Sequence, residues 1–203
     1  TEGGAGYAAT NHDVKAVEYF LRTETRDGIH PWIHFGLTSE DVNNLAHRLL
    51  VGPAVENVLL PALADVRDEL VDLAHEYRDT PMLARTHGQP ATPTTFGKEM
   101  AVYAARLGTA TGRLAEAADG LAGKLAGASG TYAAHVAAYP DVDWRSFSRS
   151  FVTDLGLEHT ALSTQVNPCD DLAAVLDALR GVNNVLLDLD RDVWLYVSDR
   201  YLG

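Results

Sequence analysis

Toward the end of the chain, Leu172, Leu176, Leu179, Val182, Leu186, Leu189, Val193 and Tyr196 recur at steps of three and four, close to a strict seven-residue repeat. Such spacing turns one face of a long helix into a continuous apolar seam, and so long a seam has to be covered by other helices. A second stripe, Leu60, Leu63, Val66, Leu70, Leu73 and Tyr77, marks a helix between Asn57 and Tyr77. Pro61 stands inside it and either kinks the helix or marks its first turn after a break near Gly52 and Pro53. A third pattern, rich in Ala and Leu, predicts a helix from Thr95 to about Leu125, in which Gly97, Gly108 and Gly112 permit close helix approach or simply weaken the helix. A shorter amphipathic helix opens at Asp143 and ends near Leu155, with Gly156 as its cap. Residues 126–142, with Gly127, Gly130 and Pro140, read as a connecting loop. These patterns predict an all-α protein: an elongated helical bundle whose stripes exceed what one thin bundle needs, completed by oligomerisation.

The charge balance limits the partners. Against 16 Lys and Arg stand 28 Asp and Glu, a net charge of -12, which excludes a broad electrostatic grip on nucleic acid or an anionic membrane. Any anionic ligand must therefore be held by local groups. The single cysteine, Cys169, makes no internal disulfide, fitting a reducing compartment and a cytoplasmic protein. It follows Pro168 with no adjacent base, so it reads as an inert thiol. No apolar stretch approaches the roughly 18 residues of a membrane span, and no basic region followed by an apolar core opens the chain. With 203 residues the chain fits one domain. It starts at Thr1, runs through Gly3, Gly4 and Gly6 straight into motif-like sequence, and stops soon after the heptad stripe, so the expectation is a fragment of a longer protein.

Three segments carry candidate chemistry. Residues 80–95 hold Pro81, Pro90 and Pro93 and place His87 between Thr86 and Gly88, in a loop where helix cannot form. A histidine exposed there can move protons, although a loop histidine bonded to backbone is the commoner case. In residues 33–44, Thr38 and Asp41 approximate a capping box, which by itself explains the hydroxyl. The functional alternative is that free N–H groups at the helix start, flanked by the hydroxyls of Thr38 and Ser39, bind a carboxylate without net positive charge. In residues 10–15, Asp13 either fixes the tautomer of a nearby histidine or caps a helix with Val14, Val17, Phe20 and Leu21 on its buried side. Gly127 to Gly130 turns the chain or lets backbone approach a ligand. His30 and His34 straddle Pro31 and Trp32 with no third ligand, so no metal site is expected. His47, His75 and His159 are expected to face solvent or satisfy local bonds.

Together these segments resemble the adenylosuccinate lyases of the fumarase and aspartase superfamily. The resemblance rests on Thr-Asn-His-Asp-Val-Lys-Ala-Val-Glu-Tyr at 10–19, His-Phe-Gly-Leu-Thr-Ser-Glu-Asp-Val-Asn-Asn at 34–44, Arg-Thr-His-Gly-Gln-Pro-Ala-Thr-Pro at 85–93, Ala-His-Val-Ala-Ala-Tyr-Pro at 134–140 and Asp-Arg-Asp-Val-Trp at 190–194. These occur in family order over nearly the whole chain, so residues 1–203 are expected to be the family's central helical domain. The resemblance implies β-elimination of fumarate from adenylosuccinate and from SAICAR, the succinylated imidazole carboxamide ribotide of purine synthesis, with no cofactor. It implies His87 as the general acid, Thr38 and Ser39 as the succinyl-binding pair, and Asn11, His12 and Asp13 as nucleotide contacts. Gln165 matches a further substrate contact, and Thr86 a neighbour that orients the acid or a carboxylate. It also implies a homotetramer with active sites shared among copies, so that His87, Thr38, Ser39 and Gln165 come from different chains. Two departures stand out. Cys169 replaces a histidine frequent in bacterial relatives, and no run resembling the family's serine-bearing loop, Gly-Ser-Ser-x-Met-Pro-x-Lys-x-Asn, is present, so the catalytic base is expected outside this sequence. The alternatives are another fumarate-releasing lyase of the superfamily and a helical assembly without catalysis.

Overall fold

The computed structural model of the chain describes residues 8–202; the segment with Gly3, Gly4 and Gly6 lies outside them. The chain divides into two compact units, one formed by the residues up to Leu50 with Leu121–Cys169, the other by Val51–Gly120 with the residues from Asp170 onward. Helices dominate, in the order α1 (Asp13–Glu24), α2 (Ser39–Ala54), α3 (Leu60–Glu76), α4 (Phe96–Asp119), α5 (Ala133–Ala138), α6 (Trp144–Asp154) and α7 (Asp170–Ser198). This is the all-α helical class that the apolar periodicity predicts.

The second unit is built on α3, α4 and α7. Leu63 and Leu70 of α3, Met100, Leu107 and Leu114 of α4, and Val175, Val182 and Val185 of α7 form its core. Each large apolar side chain buried here contributes roughly 1.5–3 kcal/mol. Gly97 is required: a Cβ would run into the carbonyl of Ala74 and the backbone of Arg78, whereas Gly112 faces open space. Close approach is thus the reading that holds for Gly97. Pro61 lies in the first turn of α3, after a π-turn at Val55–Leu59. The helical backbone runs on through Ser39–Glu76, so Pro61 falls where the π-turn passes into α3 rather than after a break. Tyr103 donates to the Asp192 carboxylate and Arg106 bonds Asp188 at 2.6 Å, tying α4 to α7. Burial first, and then Asp192, push the Tyr103 hydroxyl well above its ordinary value. The heptad seam of α7 is only partly covered: Val182 is buried, but Leu176 is 65% exposed.

The proline segment is not a loop. β1 (Pro81–Thr86) and β2 (Gln89–Thr95) pair antiparallel, with an irregular register between Leu83 and Arg85. In a two-stranded ribbon both strands are edges, so prolines can sit with their missing donors outward. His87 and Gly88 make the two-residue turn with φ of 52° and 72°, the double positive φ of a type I′ hairpin.

The first unit contains α1, a 3₁₀ turn at Asp27–Trp32, the start of α2, α5 and α6. Residues 126–142 are more ordered than the expected loop, since α5 lies within them, entered from Tyr132 at a left-handed φ of 60°. Short strands β3 (Ala122–Gly123) and β4 (Glu158–His159) pair in parallel. Gly156 follows α6 at φ +81°, as expected for the residue closing that helix. On α1 only Val14 and Glu18 are buried, and Val17, Phe20 and Leu21 are exposed. Of the expected apolar side of α1 only Val14 is covered among the described residues.

One further expectation needs correction. Within the helical stretch Ser39–Glu76 an 18-residue window reaches a mean hydropathy of 1.5, so by length and composition it suffices for a span. A single such helix is weak evidence for a membrane. Leu50 and Val58 along it are exposed, which equally describes a helix covered by other chains.

Candidate active site

The start of α2 is held by an unusual division of labour. Asp41, fully buried, accepts from the backbone N–H of Thr38 at 2.8 Å, which is half of the capping box read from the sequence. The other half is missing, for the Thr38 hydroxyl accepts from the Gln165 amide at 3.2 Å. Asp41 also accepts from the N–H groups of Ala126 and Gly127, and from the Lys124 ammonium at 3.0 Å. Lys124 is itself fully buried, donates to the Gly127 carbonyl at 3.1 Å, and exchanges backbone bonds with the Asn44 side chain. A carboxylate with this many donors is compensated for its burial, and it fixes the backbone of 124–127 against the helix start.

Ser39, the first residue of α2, meets His12. The Ser39 hydroxyl lies 3.1 Å from His12 Nε2. His12, and not Asp13, is the N-cap of α1: its Nδ1 accepts from the Lys15 N–H at 3.3 Å. Asp13 occupies the first turn and bonds the Val14 N–H at 2.8 Å. Asn11 precedes them in a left-handed conformation, φ 48°. The expected residues Asn11, His12, Asp13, Thr38, Ser39 and Gln165 therefore all belong to one unit, and four of them are joined in two hydrogen-bonded pairs.

That pairing corrects one expectation. Gln165 and Thr38 meet within a single chain, because the loop before α7 is pinned: Asn167 donates to the Ala122 carbonyl at 3.0 Å and Arg48 to the Pro168 carbonyl at 3.0 Å. Cys169, read from the sequence as an inert thiol, places its sulfur 3.7 Å from the Asn167 carbonyl.

Glu18, another buried acid of this unit, accepts from Lys15 and Arg22 at 2.7 Å each, and its Oε2 lies 4.0 Å from His34 Nδ1. Burial pushes its carboxyl up, but the Lys15 hydrogen bond and the charges of Lys15, Arg22 and His34 together leave it below the ordinary value. Among the described residues no group of three or more His, Cys, Asp or Glu side chains could hold a metal ion. A cavity of about 480 Å³ in the same unit is lined by Trp32, Phe35, Tyr132, His135 and Trp144. It offers rings rather than convergent donors, so it does not suit a dicarboxylate.

His87 and Thr86 belong to the second unit. His87 is exposed at the hairpin tip, carried on a turn whose base is anchored by Arg85, which bonds the Gly88 carbonyl at 3.1 Å and Asp199 at 3.0 Å. Tyr201 adds a bond to the Leu83 carbonyl at 3.2 Å.

Sequence reasoning missed Lys124 and the full task of Asp41. The available signal was a lone lysine inside the otherwise uncharged stretch Gly120–Gly130.

The family model described as Lyase matches residues 7–203. The chain belongs to the lyase family. It is 47% identical over 194 residues to the adenylosuccinate lyase of Escherichia coli K12, covering 93% of this chain and 42% of that protein. The adenylosuccinate lyase of Legionella pneumophila strain Corby is 46% identical, with 95% of this chain and 43% of that protein covered. That of Dictyostelium discoideum is 43% identical, with 96% and 43% covered. The crystal structure of fumarate lyase from Mesorhizobium sp. BNC1 superposes with a TM-score of 0.80 at 26% identity, covering 92% of this chain and 43% of that one. The chain spans less than half the length of these relatives.

Proposed function

We propose that the protein to which this chain belongs is an adenylosuccinate lyase, releasing fumarate by β-elimination from adenylosuccinate to give AMP and from SAICAR to give AICAR. The observation that carries this reading is the state of the Thr38 and Ser39 hydroxyls. The Thr38 hydroxyl accepts from Gln165 and the Ser39 hydroxyl meets His12, so the hydroxyls at the positive end of α2 face a carboxylate, as elimination from a succinyl group requires. Thr38 and Ser39 then hold the dicarboxylate, with Gln165 beside them. His87 of another copy donates the proton to the departing nitrogen, supported by Thr86. Asn11, His12 and Asp13 face the nucleotide; since both His12 ring nitrogens are engaged, its ring face and the outer Asp13 oxygen remain for that contact. The base is supplied from outside these residues, and no cofactor or metal takes part.

Uncovered apolar residues of α1, α3 and α7 support assembly, which we take to be a tetramer of cytoplasmic protein, with residues 1–203 its central helical domain. The test of the reaction is an absorbance assay of the full-length protein with adenylosuccinate. Absence of fumarate release would refute it. The likeness to fumarate lyase favours one second reading, a superfamily lyase with a different leaving amine, and turnover of argininosuccinate or aspartate in its place would establish that.

A further inference from the structure

The hydrogen bonds of His12 determine where its proton sits. Nδ1 accepts from a backbone N–H, the Lys15 amide at 3.3 Å, which can only donate. In the neutral ring Nδ1 is therefore bare, and Nε2 carries the hydrogen. Nε2 lies 3.1 Å from Ser39 Oγ, so at that contact the ring donates and the serine accepts. A hydroxyl has one proton to give, and this one is not spent on His12. It remains available to a ligand above the start of α2. Thr38 is in the same state, accepting from Gln165 and leaving its own proton free.

We propose that His12 is a positioning residue: by capping α1 through one nitrogen it is locked in the tautomer whose other nitrogen fixes Ser39 as an outward hydroxyl donor to a substrate carboxylate. This rests on the proposed reading of Ser39 as a dicarboxylate contact. A reversed tautomer would take the serine proton for itself and leave an oxygen lone pair facing an anion. The 27-residue separation between the partners makes the contact a link between α1 and α2 rather than a local turn. Asp13 Oδ1, 3.6 Å from His12 Nδ1, is the nearby charge that would stabilise the wrong, doubly protonated ring, but its side chain is 85% exposed and its field is screened.

Three variants of the full-length protein, read by succinate and AMP inhibition constants and by thermal unfolding, decide the matter. Ser39→Ala tests the underlying reading and should weaken succinate inhibition about tenfold with AMP little changed. His12→Asn keeps a good N-cap but is too short to reach Ser39. It should leave the melting temperature unchanged, weaken succinate inhibition about three- to tenfold, and add less than about twofold on top of Ser39→Ala, since it acts through that hydroxyl. His12→Gln reaches as far as Nε2 but caps poorly, so it should recover succinate inhibition at a lower melting temperature. If Ser39→Ala weakens succinate while His12→Asn leaves succinate inhibition unchanged or multiplies fully with it, the positioning role is overturned and the reading of Ser39 stands; any effect of His12→Asn on AMP reports the ring face and not this role. A Gln variant that recovers nothing overturns it as well. If Ser39→Ala leaves succinate inhibition unchanged, the reading falls and the inference with it.

Discussion

The start of α2 and the tip of the hairpin both present a proton-bearing side chain, but they hold it by opposite means. Thr38 and Ser39 are set by side chains distant in sequence, 127 and 27 residues away, above a buried Asp41 and Lys124 pair. His87 itself is set by two successive left-handed residues at the end of a ribbon, with side chains holding only the base of the turn. The first arrangement can be broken from far away. The second can be broken only at the turn or its base.

The largest effect is expected where the first arrangement is buried. Lys124→Met leaves the Asp41 charge without its cation, and loss of one partner of a buried pair typically costs about 3–5 kcal/mol. The full-length variant should melt many degrees lower, and fumarate release should fall with the folded fraction. An unchanged melting temperature would show that the N–H donors of Thr38, Ala126 and Gly127 suffice for Asp41.

At the hairpin the corresponding change should act on rate and not on folding. Asn tolerates positive φ, so His87→Asn keeps the turn while removing the acid. Turnover should drop by roughly 100-fold or more, with a smaller change in KM and an unchanged melting temperature. Near-normal turnover would remove His87 from the mechanism. Gly88→Ala separates scaffold from chemistry. Nothing lies within 4 Å of the added Cβ, so its cost is the left-handed conformation, about 1–2 kcal/mol. Turnover should fall with succinate inhibition untouched; a parallel loss of both would mean the two segments are not independently held.

This contrast also explains what the sequence disclosed. Helices were legible because their cause is local: the stripe from Leu172 to Tyr196 lies within α7, Asp170–Ser198. The place of His87 was legible as a break in helix, but the ribbon around it was not, because three prolines masked a pairing that tolerates them. The facing of apolar residues was less legible still. Phe20 reads as core from its spacing yet is 58% exposed, because burial depends on surfaces the segment does not contain. The Thr38 and Asp41 spacing suggested a mutual cap, and only the reach of Gln165 across 127 residues shows that the hydroxyl is diverted. Long-range contacts of this kind leave no periodicity.

The smallest effect concerns pH and again should touch only the first arrangement. His135 is 5% exposed, and its ring is wedged so tightly against Gly36 that a Cβ there would stand 2.7 Å from Nε2. Its Nδ1 has no hydrogen-bond partner among the described residues. Burial lowers its pKa from the ordinary 6.5, opposed in part by Asp41. The unfolded chain therefore takes up this proton first as pH falls, so the contribution to stability is fully present above about pH 6.5 and declines as pH drops through that value toward the folded pKa. One such group changes stability by at most about 1.4 kcal/mol per pH unit. His135→Phe, which fills the same space without a charge to refuse, should reduce the drop in melting temperature between pH 7.5 and 5.5. A residual drop is expected from His159, whose pKa is also lowered, by burial and then by Arg149. Because the Asp41 carboxylate that opposes the His135 shift also caps Thr38, acidification should weaken the hold on α2 in the parent more than in His135→Phe. Succinate inhibition measured across the same range would show it; an identical pH dependence in parent and variant would place His135 outside the support of that helix start.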